Sequence, residues 1–136
     1  MTVTKIQPKT LFQRALEGRV LYTHVVVAET QALIFISGQL ARDKSGNIVG
    51  PRDMRAQIRQ VGENMRWALE AAGATLDDLV KTTTFVTDID EFFRHMDVRH
   101  DYLGVALPAS TTVEVRRLAH PDLMVEIEAI AIKDRH

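Results

Sequence analysis

Leu123-Met124-Val125-Glu126-Ile127-Glu128-Ala129-Ile130-Ala131-Ile132 is the stretch on which the fold turns. Side chains alternate faces along a strand. Leu123, Val125, Ile127, Ala129 and Ala131 therefore share one face, which is wholly apolar. Met124, Glu126, Glu128, Ile130 and Ile132 share the other. The run reads as a strand buried on both sides, except that two carboxylates stand among the apolar neighbours of one face. A buried carboxylate is costly unless a partner or a ligand satisfies it. What Glu126 and Glu128 face is thus the first functional question the chain raises.

Upstream, Pro108 precedes a second C-terminal strand, Thr111–Arg116, and a turn at Ala119-His120-Pro121-Asp122 joins the two into a predicted pair. The segment from Asp53 to Ala72 predicts a helix, because Met54, Ile58, Val61, Met65, Ala68 or Leu69, and Ala72 recur at steps of three and four. Gly73 is placed to end it as the residue after the C-cap, while Gly62 stands inside it and is read as permitting close packing onto the sheet. Leu79 to Thr87, rich in Thr, Val and Phe, predicts a strand. Asp88 with Glu91 resembles a capping box opening a second helix over 89–103, packed through Ile89, Phe92, Phe93, Met96 and Leu103 and closed by Gly104. Val20 to Ala28 and Ala32 to Ile36 predict a hairpin turning at Glu29-Thr30-Gln31. The stretch up to Gly18 is weakly periodic and specifies no element.

The order ββ, α, β, α, ββ predicts an α+β fold, one mixed sheet with two helices on one face. Two helices cover only one side, yet the strands read as apolar on both. Another copy of the chain is the simplest cover for the second face. The 136 residues predict one domain, 1–136. Hydrophobic residues are 46% and charged residues 26%, and the net charge is −1 with a pI near 6.5. That balance offers no electrostatic footprint for nucleic acid or an anionic membrane. Cysteine is absent, which removes disulfides, thiolate catalysis and Cys-based zinc sites. The first twenty residues lack an apolar core of the signal-peptide kind and no apolar run approaches a membrane span, so a cytoplasmic protein is expected.

Several segments, in this order and spacing, resemble the RidA/YjgF family of reactive-intermediate deaminases. They are Ile34-Phe35-Ile36-Ser37-Gly38-Gln39, Asn64, Ala71-Ala72-Gly73-Ala74-Thr75-Leu76-Asp77-Asp78-Leu79-Val80-Lys81-Thr82, Phe85-Val86-Thr87-Asp88, Leu107-Pro108-Ala109-Ser110-Thr111-Thr112-Val113 and Val125-Glu126-Ile127-Glu128-Ala129-Ile130-Ala131. The resemblance runs from about Tyr22 onward. It implies a chorismate-mutase-like (YjgF-like) fold, packed as a homotrimer with three intersubunit clefts. It also implies hydrolysis of small enamines and imines to ketones and ammonia, with no cofactor and no metal.

The same resemblance implies the site. Glu126 matches the cleft glutamate that positions or activates the attacking water, whereas Glu128 matches a glutamate that is more often structural. Tyr22 lines the cleft and His24 stands beside it. Ser37 and Gly38 offer a hydroxyl and a backbone amide, and Thr112 occupies a small polar position beside the ligand. Two positions depart from the pattern. Ser110 stands where the deaminases carry the arginine that holds the substrate carboxylate, and Met96 stands where many carry an asparagine. A serine gives one neutral hydroxyl where arginine gives a permanently charged bidentate fork. Arg116, Arg117 and Arg99 are the candidates to supply charge from elsewhere.

Each of these residues also has a plain structural reading. Glu126 is either a cleft base or a strand carboxylate paired with a lysine or arginine across an interface. Tyr22 is either a site residue or interface packing, His24 either a cleft donor or a structural histidine, and Ser110 either a ligand contact or a lining residue. Asp77-Asp78 reads as a capped turn. No His/Asp/Glu set has metal-ligand spacing, and no phosphate-cradling glycine loop or nucleophile elbow occurs. Three function classes follow: a hydrolytic deaminase, a non-catalytic trimer that binds a small metabolite, and the endoribonuclease or translation-inhibitor activity of some relatives. The pI, the 6% of aromatic residues and the lack of a basic stripe argue against the third.

Overall fold

A computed structural model of the chain describes residues 2–13, 15–29, 32–103 and 106–134. The strands are β1 (Thr2–Ile6), β2 (Ala15–Leu16), β3 (Arg19–Val20), β4 (Val25–Glu29), β5 (Ala32–Leu40), β6 (Leu79–Val86), β7 (Ala109–Glu114) and β8 (Val125–Lys133). The helices are α1 (Met54–Ala71), α2 (Ile89–Phe93) and α3 (Met96–Leu103), with a 3-10 turn at Leu76–Asp78. The main sheet is mixed and ordered β5-β8-β6-β7, with only the β6–β7 pair parallel.

β8 forms because its apolar face is wanted on two sides at once. It lies between β5 and β6, and Leu123, Val125, Ile127, Ala129 and Ala131 are all buried, as their alternation predicts. α1 covers that face with Met54, Ile58, Val61, Met65 and Leu69. Asp53 caps its first turn, accepting from Ala56 N at 3.1 Å. At the other end Ala74 N donates to Leu69 O and Gly73 N to Glu70 O. These are the paired bonds of a helix stop that puts Gly73 at φ 74°. One polar residue shares the buried stripe. Gln57 donates to Gly50 O at 2.9 Å and to Asp122 O at 2.7 Å, and accepts from Met124 N at 2.7 Å. It ties the loop before α1 to the entry of β8 with its buried amide fully bonded.

Five expectations are corrected. β4 pairs with β1, not with β5, so the predicted hairpin does not form. Val25–Val27 finds its partner in the N-terminal stretch that specified no element; Thr30 and Gln31 lie outside the described residues. The two C-terminal strands are not neighbours, since β7 runs parallel to β6 at the sheet edge while β8 takes the centre. The second predicted helix is two. Arg94 N and His95 N bond back three residues to Glu91 O and Phe92 O, which tightens the turn and separates α2 from α3; Gly104 lies outside the described residues. Glu91 does not complete a capping box, because its carboxylate binds Arg94 and His95, while Glu114 takes Ile89 N. Finally, Gly62 makes room for a helix, not the sheet: a Cβ there would stand 2.6 Å from Tyr102 Cγ.

The face of the main sheet away from α1 is open in the chain. Leu33 is 58% exposed and Phe35 72% exposed on it.

Candidate functional site

The register of the sheet sorts the predicted site residues into two groups. Thr82 pairs with Ser110 and Ala129, and Thr84 with Thr112 and Ile127. These positions share the helix-covered face, and Thr82 and Thr84 are buried there. Glu126 pairs with Phe85 and Leu40, and Glu128 with Thr83. They share the open face.

On the helix side, a cavity of about 270 Å³ is lined by Leu21, Tyr22, Phe92, Phe93, Met96, Arg99, Ser110 and Thr112. Four of the predicted residues, Tyr22, Met96, Ser110 and Thr112, thus meet around one space. Ser110 reaches it from β7, where its Oγ accepts from Thr82 Oγ1 at 3.0 Å. Tyr22 is held by the chain's beginning. Its carbonyl accepts from Gln7 Nε2 at 2.7 Å and Gln13 Nε2 at 3.3 Å, and its hydroxyl donates to Phe12 O at 3.2 Å. The buried Thr23 fastens this loop to the approach of β7, donating from N to Pro108 O at 3.2 Å and from Oγ1 to Leu107 O at 2.6 Å.

His24 does not line the cavity. Its ring stands edge-on to Tyr22 with centroids 5.0 Å apart, and its Nε2 donates to Phe12 O at 2.8 Å. It braces the tyrosine.

Arg99 contributes the only charged side chain in that lining. The break before α3 fixes its position, since Met96 and Arg99 lie three residues apart on one face of that helix. Arg99 is 4% exposed. Its one hydrogen bond among the described residues is donated from Nη2 to Ser110 Oγ at 3.4 Å. Burial pushes its pKa below the ordinary arginine value, with only nearby Tyr102 acting in the opposite sense. An arginine so placed is still a cation at neutral pH. Behind it, the Tyr102 hydroxyl is buried with no hydrogen-bond partner among the described residues, and burial pushes its pKa up to about 12. Arg116 and Arg117, the other candidates for a relocated charge, line a different hollow with Leu118 and His120.

The open face carries the second group. β5 slips register between Ile36 and Gln39, so Ser37 and Gly38 form a bulge beside β8. The Glu126 side chain lies across Gly38, and a Cβ there would stand 2.7 Å from Glu126 Cδ. The Glu126 carboxylate is half-buried and makes no hydrogen bond or ion pair among the described residues. Ser37 is exposed next to it, while Glu128 is exposed one step further along the strand. Asp78 accepts from Thr75 N at 2.9 Å, the capped turn its sequence suggests. Among the described residues no group of three or more His, Cys, Asp or Glu could hold a metal ion, and no helix is long and apolar enough to cross a membrane.

Comparison with known proteins places this arrangement. The family model described as Endoribonuclease L-PSP matches residues 12–133. A RutC family protein of Pyrococcus horikoshii is 44% identical over 102 residues, covering 74% of this chain and 79% of its own. The protein of Escherichia coli named 2-iminobutanoate/2-iminopropanoate deaminase is 38% identical over 108 residues, covering 74% of this chain and 80% of its own. Among solved structures, a Rid-family protein from Yersinia pestis, described as of unknown function, superposes with a TM-score of 0.84. That match is at 29% identity over 98% of this chain and all of the other. The mixed sheet, the three helices and the sequence from Phe12 to Lys133 agree: the chain belongs to the Endoribonuclease L-PSP family, which includes the RutC and RidA proteins.

Proposed function

We propose that this chain is a hydrolytic deaminase of a small imine or enamine, from a branch of its family that lacks the β7 arginine. It works as a homotrimer of chorismate-mutase-like subunits whose clefts lie between copies. The observation that carries the reading is Glu126. A half-buried carboxylate lies on the open sheet face, seated on a glycine bulge, with no cation or donor among the described residues to satisfy it. Such a group is suited to hold and deprotonate a water. The water oxygen bonds to the carbon of a C=N, giving a carbinolamine. Proton transfer to nitrogen expels ammonia as the C–N bond breaks, and C=O forms. An enamine enters the same route after tautomerising to the imine. The name of the Escherichia coli relative supports this substrate class.

The trimer is supported by the two sheet faces. Ser110 and Glu126 point to opposite sides, so one copy supplies the cavity of Tyr22, Met96, Ser110 and Thr112. A neighbour supplies Glu126, Ser37 and Gly38, and the exposed Leu33 and Phe35 become contact surface.

The test generates 2-aminoacrylate in situ and follows pyruvate release. Wild type should accelerate it and Glu126→Gln should not. Turnover retained in the variant would sink the mechanism. One observation favours a second reading, a non-catalytic metabolite-binding trimer: the cavity is complete in one chain while Glu126 lies elsewhere. Ligand-induced thermal stabilisation with no product in the same assay would support that reading.

A further inference from the structure

A guanidinium presents five N–H donors and a permanent charge. Taking it out of water is costly unless an anion answers it, and breaking such a pair leaves a buried charge uncompensated. Arg99 is 4% exposed, has no carboxylate within ion-pair distance among the described residues, and donates one long hydrogen bond, 3.4 Å, to Ser110 Oγ. Its remaining donors have no acceptor among the described residues. The space beside it is a cavity of about 270 Å³ in which Leu21, Phe92, Phe93 and Met96 stand with the hydroxyl-bearing Tyr22, Ser110 and Thr112. For a cation as buried as Arg99, attraction to an opposite charge is several times stronger than in water.

We infer that Arg99 is the anion receptor of this cavity, binding the carboxylate of a small acid whose short apolar tail lies against Phe92, Phe93 and Met96. The charge enters from α3 instead of β7. Ser110 is the small residue beside it, and its hydroxyl, bonded to Thr82, accepts from the guanidinium. The inference rests on the deaminase reading only in taking the acid to be substrate or product; the binding itself does not need turnover.

The test is calorimetric titration of the intact protein with pyruvate, 2-oxobutanoate and the neutral pyruvamide, for wild type, Arg99→Met and Arg99→Lys. Wild type should bind the two acids and not the amide. Arg99→Met should weaken acid binding about tenfold to a hundredfold, the range for a lost charge-assisted contact, and Arg99→Lys should fall between. The ligand-free Tm of Arg99→Met should equal or exceed that of wild type, because an uncompensated buried charge has gone. A lower ligand-free Tm would make Arg99 a structural cation paired across an interface and overturn the inference. So would acid binding within twofold of wild type, absence of acid binding in wild type, or equal binding of the amide. The two readings fail separately. Imine turnover that survives Arg99→Met with unchanged KM sinks this inference and spares the deaminase; acid binding through Arg99 without any turnover does the reverse.

Discussion

Gly38→Ala isolates the seat of Glu126 from the rest of the molecule. A Cβ at residue 38 would stand 2.7 Å from Glu126 Cδ and 3.0 Å from Cγ, and would overlap Oε2 outright. Carbon atoms settle near 3.5 Å, so the carboxyl carbon has to retreat by about 0.8 Å, and the oxygen by more. Gly38 is not among the glycines with positive φ, so alanine fits its backbone. The strain therefore falls on the free end of a flexible side chain, not on the strand. Replacing glycine at a compatible position stabilises by roughly 0.4–1 kcal/mol through the unfolded chain, which offsets much of that strain. Tm should stay within a few degrees of wild type. Turnover should not, since displacing a reacting group by about 1 Å costs on the order of a hundredfold. The assay is kcat for 2-aminoacrylate hydrolysis beside a thermal melt. In a Glu126→Gln background the same substitution should cost nothing further, because the carboxylate it displaces is already gone. Full activity in Gly38→Ala, or an additive loss in the double variant, would refute the assignment of Glu126.

Three further outcomes follow from the packing. Gly62→Ala should destabilise by about 1–3 kcal/mol in urea unfolding despite alanine's better helix propensity, because the new Cβ meets the Tyr102 ring at 2.6–2.8 Å; an unchanged midpoint would show that α1 and α3 are not tightly apposed there. Ser110→Arg should lower Tm and any activity by setting a second guanidinium against Arg99, whereas Ser110→Arg with Arg99→Met should recover acid binding by returning one charge to the cavity; titration with pyruvate checks both. Stability should fall on acidification from about pH 4.5. Hydrogen bonds hold the Glu91 carboxyl (from His95 first, then Arg94), the Glu63 carboxyl (from Arg66) and the Asp97 carboxyl (from Arg55) below their ordinary values. A depressed folded-state pKa gives stability that is full above the unfolded value and is lost as pH falls through the folded one, so a Tm that rises between pH 5 and pH 3 would contradict these pairs.

How much of this was legible in the sequence depended on whether the information was local. α1 was readable because its apolar spacing lies within the element and its Gly73 stop directly after it. Gln57 was not, since its meaning comes from Gly50, Asp122 and Met124, a loop and a strand entry distant in the chain. The strand runs from Val25 onward were readable and their partners were not. Val25–Val27 looks the same whether it pairs with β5 or, as it does, with β1. The break between α2 and α3 has neither proline nor glycine to announce it, and it arises from back-bonding at Arg94 and His95. That break puts Arg99 beside Met96 on the cavity. The sequence offered Arg99 as one of three arginines able to replace the missing charge, and only its burial next to Ser110 distinguishes it. Resemblance supplied Tyr22, Ser110, Thr112 and Glu126 as a set, but the division of that set between two sheet faces is a matter of register and bulge.

That division yields a prediction about assembly. No rotamer change carries Glu126 through the sheet to Arg99, since Phe85, which pairs with Glu126, and Thr82, which pairs with Arg99's partner Ser110, alternate faces on β6. In the proposed trimer each cleft takes Arg99 from one copy and Glu126 from the next. Arg99→Met chains, impaired tenfold to a hundredfold in binding, and Glu126→Gln chains, inactive alone, should therefore complement when unfolded, mixed in equal amounts, refolded together and assayed at substrate below KM. With random assortment, half of the copies offering the cavity carry Arg99 and half of their neighbours carry Glu126. About one quarter of the clefts are then intact, and activity should return to about a quarter of wild type. A site built within one chain predicts no recovery at any mixing ratio. Recovery near one quarter would fix both the shared cleft and the identity of the two groups in it, because a binding-only assembly has no activity to restore.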